Sequence, residues 1–239
     1  MRVLVFQHLA CEHPGMWREF LREDGAEVVT VNLDLGDTIP PLEGADALLV
    51  FGGPMNVDEE ERFPWLASET ATIRRAVLGG LPVLGVCLGG QLLAKALGAP
   101  VTKNPVPEVG LLDIDLTDAG AADPLFAGWS RSVPVVQWHS DTFGLPAGAT
   151  LLASSPFCHH QAFRYGRHAY GLQFHPEVTA DMVVEWADVP EYAEAMQRMQ
   201  GSANGGPFAG IPAAAPALAV RGRRLYDNFT SLVGRPWPA

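Results

Sequence analysis

The chain has 239 residues, of which 48% are hydrophobic and 18% are charged, and its formal net charge at pH 7 is −11. This composition predicts a globular protein with a sizeable core, built as one large domain or two small ones, and it excludes a disordered chain. The negative charge and the lack of any Lys/Arg cluster argue against nucleic acid and against an anionic membrane surface as partners.

The first half of the chain alternates strands and helices. Apolar runs predict strands, and amphipathic stretches predict helices between them. The expected strands are 3–6, 27–31, 47–51 and 83–86, and the expected helices are 14–23, 64–77 and 88–97. The alternation predicts an α/β fold with an open, mostly parallel, flavodoxin-like sheet and helices on both faces. Because ligands bind beyond the carboxyl ends of such strands, we expect the functional site there.

The second half changes character and predicts an antiparallel β extension of the sheet. Short β-like runs at 109–115, 133–138, 150–153, 162–165 and 169–174 are separated by turn residues, with a hairpin around 166–167. Helical patterning returns at 180–199. A stretch rich in Gly, Ala and Pro at 201–216 predicts a linker, and 221–232 predicts a last helix. We therefore expect one domain over 1–200, with 201–239 as a linker and C-terminal helix packed on that domain.

Cysteine usage and short motifs limit the remaining classes. The three cysteines are widely spread and form no Cys-x-x-Cys pair, so neither a zinc site nor a disulfide framework is predicted, and no metal is expected. Neither a G-x-G-x-x-G nor a Walker pattern occurs, and no cofactor is expected. No signal peptide and no apolar run of about 18 residues is present, which favours a reducing cytoplasm.

Cys87 stands at the corner between the strand at 83–86 and the helix that follows. A helix N-terminus stabilises a thiolate relative to a thiol, which favours a nucleophile. The neighbouring glycines permit a tight turn and leave backbone N–H groups uncovered, where they could stabilise an oxyanion. Taken alone, Cys87 is equally well explained as a buried structural cysteine.

His175 and Glu177 change that balance. Residues i and i+2 of an extended segment share a face, so the pair can act as a general base and its orienting carboxylate. With Cys87 they supply the three parts of an activated thiol. Five other histidines lie in predicted loops without an acidic residue at i+2, and we expect them to be solvent-exposed: His8, His13, His159, His160 and His168.

Four motifs in chain order carry a family resemblance. They are Phe-Gly-Gly-Pro at 51–54, Gly-Val-Cys-Leu-Gly-Gly-Gln at 85–91, Gln-Trp-His-Ser-Asp at 137–141 and Gly-Leu-Gln-Phe-His-Pro-Glu at 171–177. Together they resemble class I, triad-type glutamine amidotransferase domains over residues 1–185. Within that family the chain is most similar to the stand-alone group that resembles the amidotransferase domain of GMP synthetase and the γ-glutamyl peptidases.

The resemblance implies a catalytic role for three side chains. Cys87 would attack the γ-carbonyl of a glutaminyl group and form a γ-glutamyl thioester. His175 would accept the thiol proton and return it to the leaving ammonia or amine, while Glu177 orients His175.

The resemblance also implies contacts around the substrate. Gly53 and Leu88 would hold the oxyanion through their N–H groups, and Gln91 would contact the substrate. The loop with His139, Ser140 and Asp141 would meet the amino and carboxylate ends of glutamine, although His139 could equally be a structural hydrogen-bonding residue. Trp138, beside that loop, is expected to line the pocket.

Several functions remain open on the sequence alone. The chain could be a glutaminase that passes ammonia to a separate synthetase, or a γ-glutamyl peptidase-like hydrolase that acts alone. A catalytically silent binding module of the same fold is disfavoured, because Cys87, His175 and Glu177 are all present. A protease or chaperone of the related elbow-cysteine superfamily is disfavoured because Leu88, not histidine, follows the cysteine.

Overall fold

The computed structural model describes residues 1–187, 189–190, 192 and 206–233. Its strands are β1 (Arg2–Gln7), β2 (Glu27–Asn32), β3 (Ala47–Val50), β4 (Val83–Val86), β5 (Val101–Leu116), β6 (Ser132–Phe143), β7 (Thr150–Ser154), β8 (Ala162–Tyr165) and β9 (Ala169–Leu172). They form a single sheet of nine strands in the order β2-β1-β3-β4-β9-β8-β7-β5-β6.

The first half of the sheet is parallel. β2, β1, β3, β4 and β9 pair in parallel in that order, which is the strand order of a flavodoxin-like fold with β9 as its fifth strand. The remaining pairings, from β9 to β8 and onward to β6, are antiparallel. The predicted α/β fold with an antiparallel extension is confirmed.

Helices cover both faces of the parallel strands. They are α1 (Trp17–Glu23), α2 (Trp65–Leu78), α3 (Leu88–Ala96), α4 (Asp118–Ala122), α5 (Ala180–Ala187) and α6 (Ile211–Leu232). Successive residues of β1 point to opposite faces, so Val3 and Val5 enter one apolar core while Leu4 and Phe6 enter another. The first core is covered by α1 and α6, and the second by α2 and α3.

The antiparallel half departs from the sequence prediction at its long strands. β5 begins at Val101 and contains an irregularity in its pairing with β6 between Lys103 and Glu108. The sequence pattern does not predict this part of the strand, because it contains prolines at 105 and 107 and proline usually interrupts the hydrogen-bond ladder of a sheet. β6 continues to Phe143, so residues 139–141, predicted as a loop, are part of a strand.

The C-terminal helix begins ten residues earlier than the sequence predicted. α6 starts at Ile211, with Pro212 in its first turn and an alanine-rich stretch after it. Proline suits the first turn of a helix, and alanine has the highest helix propensity, so the part of the predicted linker from 211 to 216 is helical. Tyr226 of α6 contacts Trp17 of α1 edge-on, with ring centroids 6.0 Å apart.

Two predictions fall partly outside the described residues. The helix predicted at 180–199 is described as α5 to residue 187, and 193–199 lie beyond the described part. The domain boundary at residue 200 stays a prediction for the same reason. Within the described ranges, no helix is both long enough and apolar enough to cross a lipid bilayer.

Candidate active site

Cys87 occupies a strained corner between β4 and α3. It is the one non-glycine residue of the described chain with a positive φ, at φ 53° and ψ −110°. Its N–H donates to the carbonyl of Leu172 on the neighbouring strand β9 at 2.8 Å. The turn is closely packed, since a methyl group added at Gly89 would lie 2.1 Å from the carbonyl oxygen of Val50. Strain held this firmly is typical of functional sites.

His175 and Glu177 form a buried pair just beyond β9. Nδ1 of His175 lies 2.8 Å from Oε1 of Glu177, and the His175 N–H donates to the carbonyl of Val136 at 2.9 Å. Burial lowers the pKa of His175, but Glu177 and Cys87 outweigh it by charge and by hydrogen bonding, and the pKa is raised well above its ordinary value. The three predicted catalytic residues therefore lie together. Their roles remain predictions.

A cavity of 230 Å³ opens beside the sulfur, at the carboxyl ends of β3 and β4. Six of the predicted site residues line it: Gly53, Cys87, Gln91, His139, Ser140 and Asp141. Trp138, expected to line the pocket, does so, and the remaining lining residues are Pro54, Met55, Lys103 and Tyr192. The position agrees with the general rule for open α/β sheets.

Gly53, which follows β3, lies next to Leu88, the residue after Cys87. A methyl group added at Gly53 would lie 2.9 Å from Cδ2 of Leu88, so the two residues are in close contact. Among the hydrogen bonds of the described residues, neither backbone N–H has an acceptor. Such free N–H groups are what an oxyanion requires, and this role stays a prediction.

Gln91 is tied to the pocket wall. Its side-chain nitrogen donates to the carbonyl of Asp141 at 3.2 Å and to Oε1 of Gln173 at 3.3 Å. The amide nitrogen of Gln173 in turn lies 3.8 Å from the sulfur of Cys87. These contacts connect α3, β6 and the segment after β9 around the sulfur of Cys87.

His139 is held by hydrogen bonds at both ring nitrogens. Nδ1 lies 2.9 Å from the carbonyl of Asp141, and Nε2 lies 3.0 Å from Oε2 of Glu108. The carboxylate of Glu108 also accepts from Ser155 and Gln161, each at 2.6 Å. Of the two roles considered for His139, this geometry favours the structural one, with the ring forming part of the pocket wall.

Glu108, His139 and Cys158 have the residue types of a metal site. One ligand atom from each lies within 4.8 Å of the others. However, the Glu108 and His139 atoms bind each other, and the sulfur of Cys158 lies 3.1 Å from Oγ1 of Thr142. Burial also raises the pKa of the Cys158 thiol, which disfavours the thiolate that a metal needs. The group acts as a hydrogen-bond network.

The predicted exposure of the other histidines is wrong for two of them. His8 is fully buried, and His13 is buried with its Nδ1 accepting from the N–H of Gly15 at 3.0 Å. Both follow β1 at the carboxyl edge of the sheet, where the chain is covered by the segment around Glu177; the N–H of Met16 donates to the Glu177 carbonyl. His159 is exposed, and His160 and His168 are half-buried.

Glu12 and Tyr192 were missed by the sequence analysis. The Tyr192 hydroxyl donates to Oε1 of Glu12 at 2.5 Å, while Oε2 of Glu12 has no partner among the described residues. A methyl group added at Gly52 would lie 2.4 Å from that Oε2 and 3.2 Å from Cε1 of His175, so Glu12 lies beside the His175 ring. Burial raises the pKa of Glu12. Glu12 and Tyr192 are 180 positions apart, so no local sequence pattern predicts their contact.

Comparison with known families agrees with this geometry. The family model "Glutamine amidotransferase class-I" matches residues 16–182. The chain belongs to the class-I glutamine amidotransferase family. Hydrolysis of the glutamine amide is the general activity of that family, and the chain is accordingly an enzyme of the amidotransferase type.

Individual relatives support the same family. The chain is 37% identical to the glutamine amidotransferase-like protein YfeJ of Salmonella typhimurium, over 77% of this chain and 78% of that protein. It is 33% identical to one subunit of the glutamine-hydrolysing GMP synthase of Thermoplasma acidophilum, over 70% of this chain and 82% of the relative. A crystal structure of a glutamine amidotransferase from Thermotoga maritima superposes with a TM-score of 0.88 at 30% identity, covering 98% of this chain and 99% of the other.

Proposed function

We propose that this protein hydrolyses the γ-amide of glutamine through a covalent thioester on Cys87. The observation that carries the proposal is the buried His175–Glu177 pair, 2.8 Å apart, beside a strained cysteine that opens into a pocket. A histidine so paired can take a proton from the thiol and hold it as an imidazolium.

The reaction has two halves with His175 as the proton carrier. The Cys87 sulfur forms a bond to the γ-carbonyl carbon, and the carbonyl oxygen becomes an oxyanion that accepts from the N–H groups of Gly53 and Leu88. His175 then protonates the leaving nitrogen as the C–N bond breaks, releasing ammonia. In the second half a water molecule gives a proton to His175 and attacks the thioester carbon. The C–S bond then breaks, His175 returns the proton to the Cys87 sulfur, and glutamate and the free thiol are formed.

Asp141 is the residue we assign to the amino end of the substrate. It lines the pocket, and its carboxylate lies 2.7 Å from Asn56 and from Lys103. A carboxylate in this position suits the ammonium group of a glutaminyl substrate. Ser140 is exposed at the same wall and can meet the carboxylate end through its hydroxyl.

We further propose that the ammonia passes to a separate synthetase. The relative from Thermoplasma acidophilum is named as one subunit of a glutamine-hydrolysing synthase, and the family resemblance of this chain supports a similar division of labour. All three cysteines are free thiols, and a reducing cytoplasm would keep the nucleophile in that state.

The test is a glutaminase assay on the purified chain. Glutamine hydrolysis that rises on addition of a cognate synthetase supports the proposal. Rapid cleavage of γ-glutamyl dipeptides with negligible glutaminase activity would identify a peptidase instead. Undiminished turnover in Cys87→Ser would refute the nucleophile.

A further inference from the structure

His8 lies directly behind the strand end that carries Gly53. It is the first residue after β1, and β1 pairs with β3, so the two strand ends are neighbours. A methyl group added at Gly53 would lie 3.0 Å from Cβ of His8. The imidazole has no exposed surface, and it is not among the residues that line the pocket. The imidazole can therefore act on a substrate only indirectly, and its direct contact toward the pocket is the backbone of Gly52 and Gly53.

Both ring nitrogens of His8 are bound to acceptors. Nδ1 lies 2.9 Å from the carbonyl oxygen of Gly52, and Nε2 lies 2.9 Å and 3.1 Å from the two carboxylate oxygens of Glu69. A carbonyl oxygen can only accept, so Nδ1 carries a proton. With a carboxylate at the other nitrogen, the arrangement is that of an imidazolium held between Gly52 and Glu69.

The groups that face His8 support this charge. Glu69 on α2 is fully buried with it, and Glu12, in the turn after β1, is the other carboxylate that acts on it. Burial lowers the pKa of His8, but the charge and hydrogen bonds of Glu69, the Gly52 carbonyl and Glu12 together raise the pKa above 6.5.

The hydrogen bond to Gly52 fixes one particular peptide unit. The Gly52 carbonyl and the Gly53 N–H belong to the same peptide bond, which is trans. In a trans peptide the C=O and the N–H point in opposite directions. With the oxygen held by His8, the Gly53 N–H points away from His8, and it has no acceptor among the described residues. A donor on the carbonyl also polarises the amide and strengthens its N–H as a donor.

We propose that the buried His8–Glu69 pair positions and polarises the Gly53 N–H for the oxyanion formed during amide hydrolysis. This inference rests on the proposed function. The pair makes no contact with the substrate, so it is a positioning pair and not a catalytic one. Since the oxyanion exists only in the tetrahedral state, loss of the pair should lower kcat and leave KM nearly unchanged.

Two substitutions remove the effect with a limited change of side-chain shape. Glu69→Gln removes the negative charge and leaves an amide that can hydrogen-bond, and His8→Phe keeps a ring but removes the donor. Loss of an oxyanion donor costs roughly 10²- to 10³-fold in kcat, so a displaced donor should cost roughly 10-fold or more. His8→Asn, whose amide nitrogen can approach the position of Nδ1, should recover part of that loss. Thr72→Ser, one turn further along α2, is the matched control.

Alkylation of Cys87 by iodoacetamide separates positioning from general damage. In that reaction the sulfur displaces iodide from carbon, and no oxyanion forms. We expect the alkylation rate of Glu69→Gln to stay within about twofold of wild type while kcat for glutamine falls. Unchanged kcat in a folded Glu69→Gln variant would overturn the inference. A parallel fall in kcat and alkylation rate would also overturn it, because the pair would then act on the thiol itself.

A readout without activity keeps the inference apart from the proposed function. The ¹H–¹⁵N resonance of the Gly53 amide reports polarisation of its N–H directly. Relative to Thr72→Ser, we expect it to move upfield in Glu69→Gln and in His8→Phe, because its N–H is then less polarised. No change at this amide would overturn the positioning role. Absence of glutamine hydrolysis in wild type would refute the proposed function alone.

Discussion

The molecule contains two buried histidine–glutamate pairs at the carboxyl edge of the sheet, joined through Nδ1 in His175 and through Nε2 in His8. The nitrogen–oxygen distance is 2.8 Å in His175–Glu177 and 2.9 Å in His8–Glu69. They also differ in the other group that acts on the imidazole ring. Cys87 acts on the His175 ring and helps to raise its pKa, whereas Nδ1 of His8 lies 2.9 Å from the carbonyl oxygen of Gly52.

Because of that difference, we expect His175–Glu177 to transfer protons and His8–Glu69 to position a backbone group. A thiol can exchange a proton with imidazole, so the first pair can act as an acid and a base during turnover. A backbone carbonyl cannot give or take a proton near neutral pH, so the second pair keeps its proton and fixes a backbone unit. We therefore expect the same two residue types to perform different tasks, because a different group lies beside each ring.

Removal of the sulfur that distinguishes the pairs should have the largest effect. In Cys87→Ser we expect glutaminase kcat to fall by about 10⁴-fold or more, because an alcohol is a far poorer nucleophile and the oxyanion site alone supports little turnover. The measurement is ammonia release under saturating glutamine. Cys11→Ser, which changes a buried thiol elsewhere in the chain, serves as control and should retain activity.

Removal of the orienting carboxylate should come next. In Glu177→Gln we expect kcat to fall by about 10³-fold. The Glu177 charge helps to raise the pKa of His175, so the variant should lose the His175 proton at a lower pH. The alkaline limb of the kcat–pH profile should therefore shift to lower pH, and a limb that stays in place would contradict the assigned role.

The pH dependence of the free energy of unfolding should report the charge of the His8–Glu69 pair. The folded state raises the pKa of His8 above 6.5, so the pair's contribution is fully present below that value and is lost as pH rises through the raised folded pKa. We expect Glu69→Gln to lower the free energy of unfolding by about 2 kcal/mol at pH 6, and by less at pH 9. Urea unfolding at both pH values measures it; an equal loss at both would count against a charged pair.

Glu12 stands between the pairs and should have the smallest effect. Its charge acts on both His175 and His8, but it contacts no reacting atom. In Glu12→Gln we expect kcat to change by less than about 10-fold, with a small shift of the alkaline limb to lower pH. Because burial raises the pKa of Glu12, its folded-state cost grows with pH, so the variant should be at least as stable as wild type at pH 8. Thermal unfolding at pH 8 checks this.

The sequence could predict the first pair and not the second for a simple reason of spacing. His175 and Glu177 are two residues apart, so strand geometry alone places them together. His8 and Glu69 are 61 residues apart and meet only after β1 and α2 pack on the sheet. One usable signal was present: His8 directly follows a strand, at the same carboxyl edge as Gly52 and Cys87.

The fold shows the same division between local and long-range information. The strand at 83–86 and the strand at 162–165 were predicted with the bounds that the structure has, because each is a compact run flanked by turn residues. The start of β5 was missed, since its prolines are tolerated only through the irregular pairing with β6. The start of α6 was missed because a stretch rich in Gly, Ala and Pro favours a linker unless the helix packs against a core.

Covalent labelling by a glutamine-analogue alkylator, read by mass spectrometry, tests the central claim most directly. Burial raises the pKa of Cys11 to about 12 and raises that of Cys158, so both should stay unmodified. We predict one adduct per chain, on Cys87, slowed by added glutamine and by His175→Ala, with loss of activity in proportion to labelling. Equal labelling of the other cysteines, or full activity with Cys87 blocked, would contradict the account.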